Sequence, residues 1–164
     1  MKIAIISDIH DNVMNLLKCL DFCEKNNVEK LLCCGDVTND ETISTLGKKF
    51  PGPIFLVRGN AEIFNPEIIK KFENINDLGK VGAIEIDSVV VGMCHQPFLI
   101  DEVIEKYAPQ ICFYGHTHKP WIEERAGIKV INPGTLSGDF SKATFAFWDS
   151  ASKEIKLILL ESLE

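Results

Sequence analysis

The chain is organised around one stretch of sequence, Ile111-Cys112-Phe113-Tyr114-Gly115-His116-Thr117-His118. An apolar run of strand-like composition ends there at a glycine, and two histidines follow with a single residue between them. Alternate residues of an extended or turning backbone lie on the same side, so His116 and His118 can present both imidazoles to one place. Imidazole is the commonest metal-binding side chain, and the first hypothesis for this stretch is therefore a metal site.

The other apolar runs of the chain also end in polar groups. They are followed by Ser7-Asp8-Ile9-His10, Gly35-Asp36, Arg58-Gly59-Asn60, His95 and Asn132-Pro133-Gly134-Thr135. In open α/β sheets, ligands bind beyond the carboxyl ends of the strands. If those ends converge, one metal site accounts for seven side chains, and all four histidines of the chain are among them. The seven are Asp8, His10, Asp36, Asn60, His95, His116 and His118.

Each of these residues also has an ordinary interpretation. Asp8 and Asp36 can be helix or turn caps after their strands. His10 and His95 can be hydrogen-bonded core histidines, and Asn60 after a glycine can be a turn residue. These separate interpretations must all hold at once, whereas a single site explains every position together.

The order of apolar runs predicts an α/β fold. Strands are expected at residues 1–6, 30–34, 54–57, 83–86, 89–94, 111–114, 121–124, 128–131, 143–149 and 155–160. Helices are expected from a cap at Asp11 or Asn12, from a cap at Asn39 or Asp40 to about Lys49, and over 62–72 and 100–107. The β-α-β-α-β opening implies parallel strands, and the later hairpins imply antiparallel ones. Two sheets packed face to face, with helices outside, satisfy both.

Composition limits the class of protein and its partners. The 164 residues, 46% hydrophobic and 25% charged, fit one soluble domain over 1–164. A net charge of −7 without a Lys/Arg cluster argues against general binding of a nucleic-acid backbone. An early charge and the absence of a ~20-residue apolar run predict no signal peptide, no membrane span, a cytoplasmic location and six reduced cysteines. Exposed strand edges leave a homo-oligomer open.

The polar blocks resemble a known family. Asp8-x-His10, Gly35-Asp36, Gly59-Asn60, His95 and Gly115-His116-x-His118 stand in the order and approximate spacing of the calcineurin-like metallophosphoesterases. The resemblance runs from residue 2 to about residue 149 and is closest to the small single-domain phosphodiesterase branch. It implies a four-layer sandwich of two mixed β-sheets flanked by helices.

The resemblance also implies two divalent metal ions per chain. By position, the first ion would be held by Asp8, His10 and His118. The second would be held by Asn60, His95 and His116, with Asp36 bridging both. Oxygen and nitrogen ligands without thiolate suit manganese, nickel, iron or zinc, and manganese is the favoured identity.

The implied function is that of a dinuclear-metal phosphoesterase, and preferably a phosphodiesterase. A metal-bridging hydroxide would attack phosphorus, with Asp36, Asn60 and His95 as catalytic residues. Arg58 and Asn60 are candidates for contact with the phosphate, although an ordinary surface charge is the better interpretation of Arg58. The alternative is a non-catalytic, metal-binding interaction scaffold of the same fold, as in a retromer subunit. Retention of all seven ligand types favours the enzyme over that scaffold.

The sequence departs from the family at three positions. Ala61 stands where many relatives have histidine and the small phosphodiesterase branch often has cysteine. Glu62 replaces the more usual aspartate, and Gln96 replaces a glycine. The ligand set is intact, so these changes bear on efficiency and substrate range.

Overall fold

Two β-sheets face each other at the centre of the molecule, in a computed structural model that describes residues 1–163. The strands in chain order are β1 (Lys2–Ile6), β2 (Lys30–Cys33), β3 (Ile54–Leu56), β4 (Ile75–Asp77), β5 (Val81–Ile86), β6 (Val89–Cys94), β7 (Ile111–Phe113), β8 (Trp121–Arg125), β9 (Ile128–Asn132), β10 (Thr144–Asp149) and β11 (Glu154–Leu159). The helices are α1 (Val13–Lys25), α2 (Asp40–Lys49) and α3 (Ile100–Tyr107), with short 3-10 segments at Pro66–Lys71, Pro97–Leu99 and Leu160–Ser162.

Both sheets are mixed. The first has the order β11-β10-β1-β2-β3-β4, in which β1 to β4 are parallel and β10 pairs antiparallel with β1 and with β11. The second has the order β5-β6-β7-β9-β8, in which β6, β7 and β9 are parallel. The predicted α/β fold with two mixed sheets is confirmed.

Alternation along β1 divides the core into layers. Ile3 and Ile5 point into the cluster between the sheets, where they join Phe113 of β7. Ala4 and Ile6 point the other way, into the cluster beneath α1 and α2. A third cluster packs α3 against β5 and β6. Full burial of a large apolar side chain is worth about 1.5–3 kcal/mol, so these three clusters hold the four layers together.

The first two helices begin at the predicted caps. The Asn12 side chain accepts a hydrogen bond from the Asn15 N–H at the start of α1. The Asn39 side chain accepts from the N–H groups of Glu41 and Thr42 at the start of α2. Each cap satisfies backbone donors that the helix leaves free, which is worth about 1 kcal/mol. Both caps directly follow loops of the candidate site, so they also fix where those loops end.

The predicted helix over 62–72 is wrong. Within this range the structure has only a short 3-10 helix, Pro66–Lys71. Asn65 precedes a proline and is extended, with ψ of 122°, because the proline ring disfavours helical geometry at the preceding residue. The N–H groups of Ile63 and Phe64 bond to the Thr38 carbonyl and not within a helix.

The short strand β4 was not predicted from the sequence. Its three residues pair in parallel with β3 at the edge of the first sheet. Three residues are too few for a periodic signal, so the neighbouring strand decides their conformation. Among residues 1–163, no helix is long and apolar enough to cross a membrane.

Candidate metal centre

The candidate site lies where parallel strands of both sheets end. Asp8 and Asp36 follow β1 and β2 of the first sheet, while His95 follows β6 and His118 follows β7 in the second. Backbone hydrogen bonds connect the loops. The Asp8 N–H donates to the Gly35 carbonyl at 3.0 Å, and the Gly115 N–H donates to the His95 carbonyl at 3.0 Å.

Five of the seven predicted ligands have left-handed backbone conformations. Their φ angles are 53° at Asp8, 43° at His10, 53° at Asp36, 71° at His116 and 59° at His118. Such a conformation costs a non-glycine residue of order 1–3 kcal/mol and is concentrated at functional sites. These backbone conformations therefore direct the ligand side chains towards one site, at the expense of local stability.

One group of ligand atoms comes from Asp8, His10 and His118. His118 Nε2 lies 3.3 Å from Asp8 Oδ1 and 3.3 Å from His10 Nε2. His10 Nε2 in turn lies 3.8 Å from Asp8 Oδ1. Ligands about 2.1 Å from one ion lie roughly 3–3.5 Å from each other, so this spacing fits a shared cation.

A second group consists of Asp8, Asp36 and His95. His95 Nε2 lies 3.2 Å from Asp36 Oδ2, and it is a buried nitrogen without a directed hydrogen bond. Asp36 Oδ2 is also 3.7 Å from His10 Nε2, which belongs to the first group. Asp36, a member of the second group, thus also approaches the first, as a bridging ligand would, while Asp8 belongs to both groups.

Hydrogen bonds to backbone carbonyls define which histidine nitrogens face the site. His95 Nδ1 lies 2.7 Å from the Cys34 carbonyl, and His118 Nδ1 lies 3.1 Å from the Asp139 carbonyl. A carbonyl can only accept, so each Nδ1 carries the proton and each neutral ring directs its Nε2 lone pair into the site. This carbonyl-oriented arrangement is typical of metal-binding histidines. The residues therefore fit divalent cations.

The carboxylates perturb the histidines electrostatically. Contact with Asp8 raises the pKa of His10 above 6.5, against the opposing effect of burial. Burial would lower the pKa of His95, but the Asp36 carboxylate outweighs it and the net shift is upward. Burial would raise the pKa of Asp36, yet His95 and the Ala61 N–H outweigh it and the pKa lies below 3.8. Without a cation, the carboxylates therefore let the His10 and His95 rings hold a proton to higher pH than a free imidazole does.

The other two predicted ligands, His116 and Asn60, are exposed. The exposed His116 ring packs edge-on against His95, with centroids 5.2 Å apart, and its backbone N–H donates to the Asp8 carboxylate at 3.0 Å. The exposed Asn60 side chain accepts a long hydrogen bond of 3.5 Å from Gln96 Nε2. Arg58 pairs with Asp77 through Nε at 2.9 Å and through a second guanidinium nitrogen. The roles of these residues stay predictions.

Sequence reasoning missed the part that Glu62 plays. Glu62 Oε2 accepts from the N–H groups of Val37 and Thr38 at 3.1 and 2.9 Å, and Oε1 accepts from the Gly59 N–H at 3.0 Å. One carboxylate therefore clamps the loop after β2 to the loop after β3. Its position directly beyond Gly-Asn-Ala was the only signal in the sequence.

The loop after β9 also supports the site. Asn132 Nδ2 donates to the Gly115 carbonyl at 2.8 Å, beside the two histidines of the opening stretch. Thr135 Oγ1 donates to the Asp8 carbonyl at 3.0 Å. The Asn-Pro-Gly-Thr block that follows the apolar run of β9 thus connects the β1 loop to the β7 loop.

With this geometry in place, comparison with known proteins identifies the class. Residues 1–153 match the calcineurin-like phosphoesterase superfamily domain, and the chain belongs to that superfamily. Phosphodiesterase MJ0936 of Methanocaldococcus jannaschii is 28% identical over 167 residues, which cover 98% of this chain and 100% of that protein.

Solved structures agree on the fold. An archaeal phosphodiesterase superposes with a TM-score of 0.85 and 26% identity, covering 97% of this chain and 99% of the other. Vps29 of Entamoeba histolytica, solved in complex with Zn²⁺, superposes with a TM-score of 0.69 and 18% identity, covering 98% and 99%. The metallophosphoesterase fold is therefore established for this chain, and its relatives support a hydrolase.

Proposed function

We propose that this protein is a dinuclear-metal phosphodiesterase whose two cations lie between Asp8, His10, Asp36, His95 and His118. The observation that carries the proposal is the pair of ligand groups that share Asp8, together with the buried Nε2 of His95, which lies 3.2 Å from Asp36 Oδ2 without a directed hydrogen bond. Two adjacent cations, when bound, supply Lewis acidity to a phosphate ester and make hydroxide available at neutral pH. Manganese is the favoured metal, with nickel, iron or zinc as alternatives.

The residues of the chain hold and orient this centre. Asp36 belongs to the second group and approaches His10 of the first, so its carboxylate would supply negative charge to both cations, while its Oδ1 accepts from the Ala61 N–H at 2.8 Å. His95 is held by the Cys34 carbonyl, and His118 is held by the Asp139 carbonyl. Fixed ligand rings keep the coordination positions in place during turnover, so little reorganisation is needed at the reacting phosphorus.

The substrate side of the site is more open. Asn60 and His116 are exposed and stand next to the buried ligands, and we assign them to the second cation, as the family resemblance implies. In this assignment Asn60 can also contact the phosphate. Arg58 is the other candidate contact, although its Nε and Nη2 already donate to one oxygen of Asp77. The unpaired cysteines suit the reducing cytoplasm that the sequence predicts.

Metal stoichiometry tests the proposal most directly. Protein stripped with a chelator and reconstituted with excess Mn²⁺ should approach two ions per chain. Asp36→Asn should weaken the binding of both ions, whereas His118→Ala should weaken mainly the binding of one. A maximum of one ion in the wild type, or equal small effects of both changes, would contradict the two-cation centre.

Activity separates the enzyme from the interaction scaffold. The reconstituted protein should hydrolyse phosphodiesters in a screen that includes phosphomonoesters and cyclic nucleotides. Asp101→Asn, which removes an exposed carboxylate paired with Arg125, is a matched control that should retain activity. Hydrolysis of none of these esters, with both cations bound, would favour the scaffold.

A further inference from the structure

One aromatic side chain stands in solvent beside the metal centre. The Phe140 ring lies 5.6 Å from the His118 ring, centroid to centroid, with an angle of 59° between the planes. Its side chain is 96% exposed, the highest value among the large apolar residues exposed in the described chain. His118 belongs to the first ligand group, so this ring borders the place where a phosphate ester would lie.

Two hydrogen bonds hold Phe140 in this position. The carbonyl of Asp139, the residue before Phe140, accepts a hydrogen bond from His118 Nδ1 at 3.1 Å. The residue after it, Ser141, donates through Oγ to the His118 carbonyl at 2.6 Å. The Asp139 N–H in turn donates to Ser137 Oγ at 3.1 Å. Both neighbours of Phe140 are thus attached to the same metal-ligand histidine.

The position of Phe140 is not explained by folding. Its φ of 64° is left-handed, which is a strained conformation for a bulky side chain. Its ring buries almost no surface, so the hydrophobic effect does not offset that strain. Strained residues held by their surroundings are concentrated at ligand-binding and active sites. An exposed ring fixed beside a cation site has the geometry of a ligand platform.

We propose that Phe140 determines substrate specificity by packing its ring against a flat aromatic group, a nucleobase or an aryl ring, of the phosphate ester bound at the metal centre. The inference rests on the proposed function and adds the class of substrate to it. A flat ring recognises another flat ring through stacking or edge-to-face contact, which requires no charge on either partner.

Binding of hydrolysis-resistant or product-like ligands tests this proposal independently of turnover. Two matched pairs differ in the presence of a ring: phenylphosphonate against methylphosphonate, and adenosine 5′-monophosphate against ribose 5-phosphate. Calorimetry on the Mn²⁺-loaded wild type should give tighter binding to the ring-bearing member of at least one pair. A preference within the phosphonate pair would indicate an aryl group, and a preference within the ribose pair would indicate a nucleobase.

Phe140→Ala should reduce that preference by about three- to tenfold, the value of one aromatic contact, and should leave the ringless ligand unaffected. Phe140→Trp, which keeps an aromatic ring at this position, should retain the preference. Because the wild-type ring is exposed, thermal unfolding of Phe140→Ala should match the wild type or rise slightly.

Phe98→Ala is the matched control. Phe98 is also an exposed ring, 74% accessible, and it lies three residues beyond His95. Its removal should leave the preference intact. Equal preference for both members of each pair in the wild type, or a preference that survives in Phe140→Ala, would overturn the role of Phe140. Neither result would question the phosphodiesterase itself, which fails only if the loaded protein hydrolyses no ester.

Discussion

At the scale of single residues, Glu62 shows how one side chain can support a site that it does not enter. Its two carboxylate oxygens are occupied by three backbone N–H groups, from Val37, Thr38 and Gly59. Charge-assisted bonds of this kind are stronger than neutral ones. The loops that carry Asp36 and Asn60 are therefore held together by an acid that faces the backbone and not the substrate.

Glu62→Gln should destabilise the protein by about 1–3 kcal/mol and lower its metal content. An amide offers one oxygen where the carboxylate offers two, and its NH₂ group would face a backbone N–H. Urea unfolding and metal analysis measure the two effects. Glu67→Gln is the control, because Glu67 is exposed and pairs with the exposed Lys70, and it should change stability by less than about 0.5 kcal/mol. Equal effects of the two changes would contradict the role of Glu62 in holding the two loops together.

Ala61 predicts a strong dependence on the leaving group. A departing alkoxide needs a proton, whereas a phenolate leaves with little help, and alanine can supply none. The engagement of Glu62 with backbone N–H groups removes the nearest alternative acid. Aryl diesters should therefore be cleaved about 10²–10⁴-fold faster than alkyl diesters where chemistry limits the rate.

Ala61→His should help the alkyl esters most, because it introduces a group that can donate a proton. The measurement is a rate series over substituted phenyl and alkyl esters, for the wild type and the variant. A flat series in the wild type would mean that another acid serves the leaving group.

At the scale of the elements, the loops after β2 and β3 pack so closely that Gly59 has no room for a side chain. A Cβ on Gly59 would lie 2.0 Å from Asp36 Oδ1 and 2.5 Å from the Asp36 nitrogen, so backbone or ligand must shift. The side chain that would be displaced is the proposed bridge between the two cations. The requirement arises from space and not from backbone conformation, since the φ of Gly59 is not left-handed.

Gly59→Ala should therefore lower metal content and activity together. Gly127→Ala, in the turn between β8 and β9, is the contrasting variant, because its φ is 78° and no atom lies within 4 Å of the added Cβ. That variant should lose about 1–2 kcal/mol of stability and keep both cations. Metal analysis beside thermal unfolding distinguishes the two outcomes. Retention of full metal content in Gly59→Ala would show that the loops can separate without harm.

At the scale of the whole molecule, the buried carboxylates of Asp8 and Asp36 connect metal binding, protonation and stability. The chain carries a net charge of −7, and these two carboxylates lie side by side in its interior. Cations that bind the folded state alone stabilise it, by about 2.7 kcal/mol at a concentration one hundred times the dissociation constant. Protons are the competing ligands, because imidazole binds metal only in its neutral form.

The metal-free and metal-loaded proteins should respond to pH in opposite directions. Folding raises the pKa of His10 and His95 above 6.5, so their contribution to metal-free stability is fully present below pH 6.5 and is lost as the pH rises through the folded pKa. The measurement is the free energy of unfolding of the wild type and of His10→Gln, both in the presence of a chelator. The wild type should be the more stable, and the difference should be larger at about pH 5.5 than at about pH 8.5. A gap that widens with pH would contradict the raised pKa.

With metal, the gain in stability and the activity should instead grow with pH, and extra metal should restore part of the acid limb. Loss of protons from the histidines then favours the bound cations. Asp36 stays ionised throughout this range, since its pKa lies below 3.8. An acid limb that does not depend on metal concentration would indicate a different titrating group.

The sequence alone determined most of the strands, the caps of the first two helices and the set of residue types at the site. Apolar periodicity is local, and the βαβ order fixes that parallel strands end at one edge, so Asp8 and Asp36 could be expected together. The family motif then supplied the fold, and the division of ligands that it implies stays a prediction. Local signals failed over 62–72, where Pro66 and the bonds to the Thr38 carbonyl override helix propensity.

Only the tertiary structure decided which atoms face one another. His10 and His118 are 108 positions apart, yet their Nε2 atoms lie 3.3 Å apart because β1 and β7 belong to facing sheets. The carbonyl partners that fix the histidine tautomers, the bonds of Glu62 to Val37 and Thr38, and the placement of Phe140 beside His118 likewise join loops that are distant in sequence. Periodicity along the chain carries no information about such contacts, because the order of strands within and between the sheets determines them.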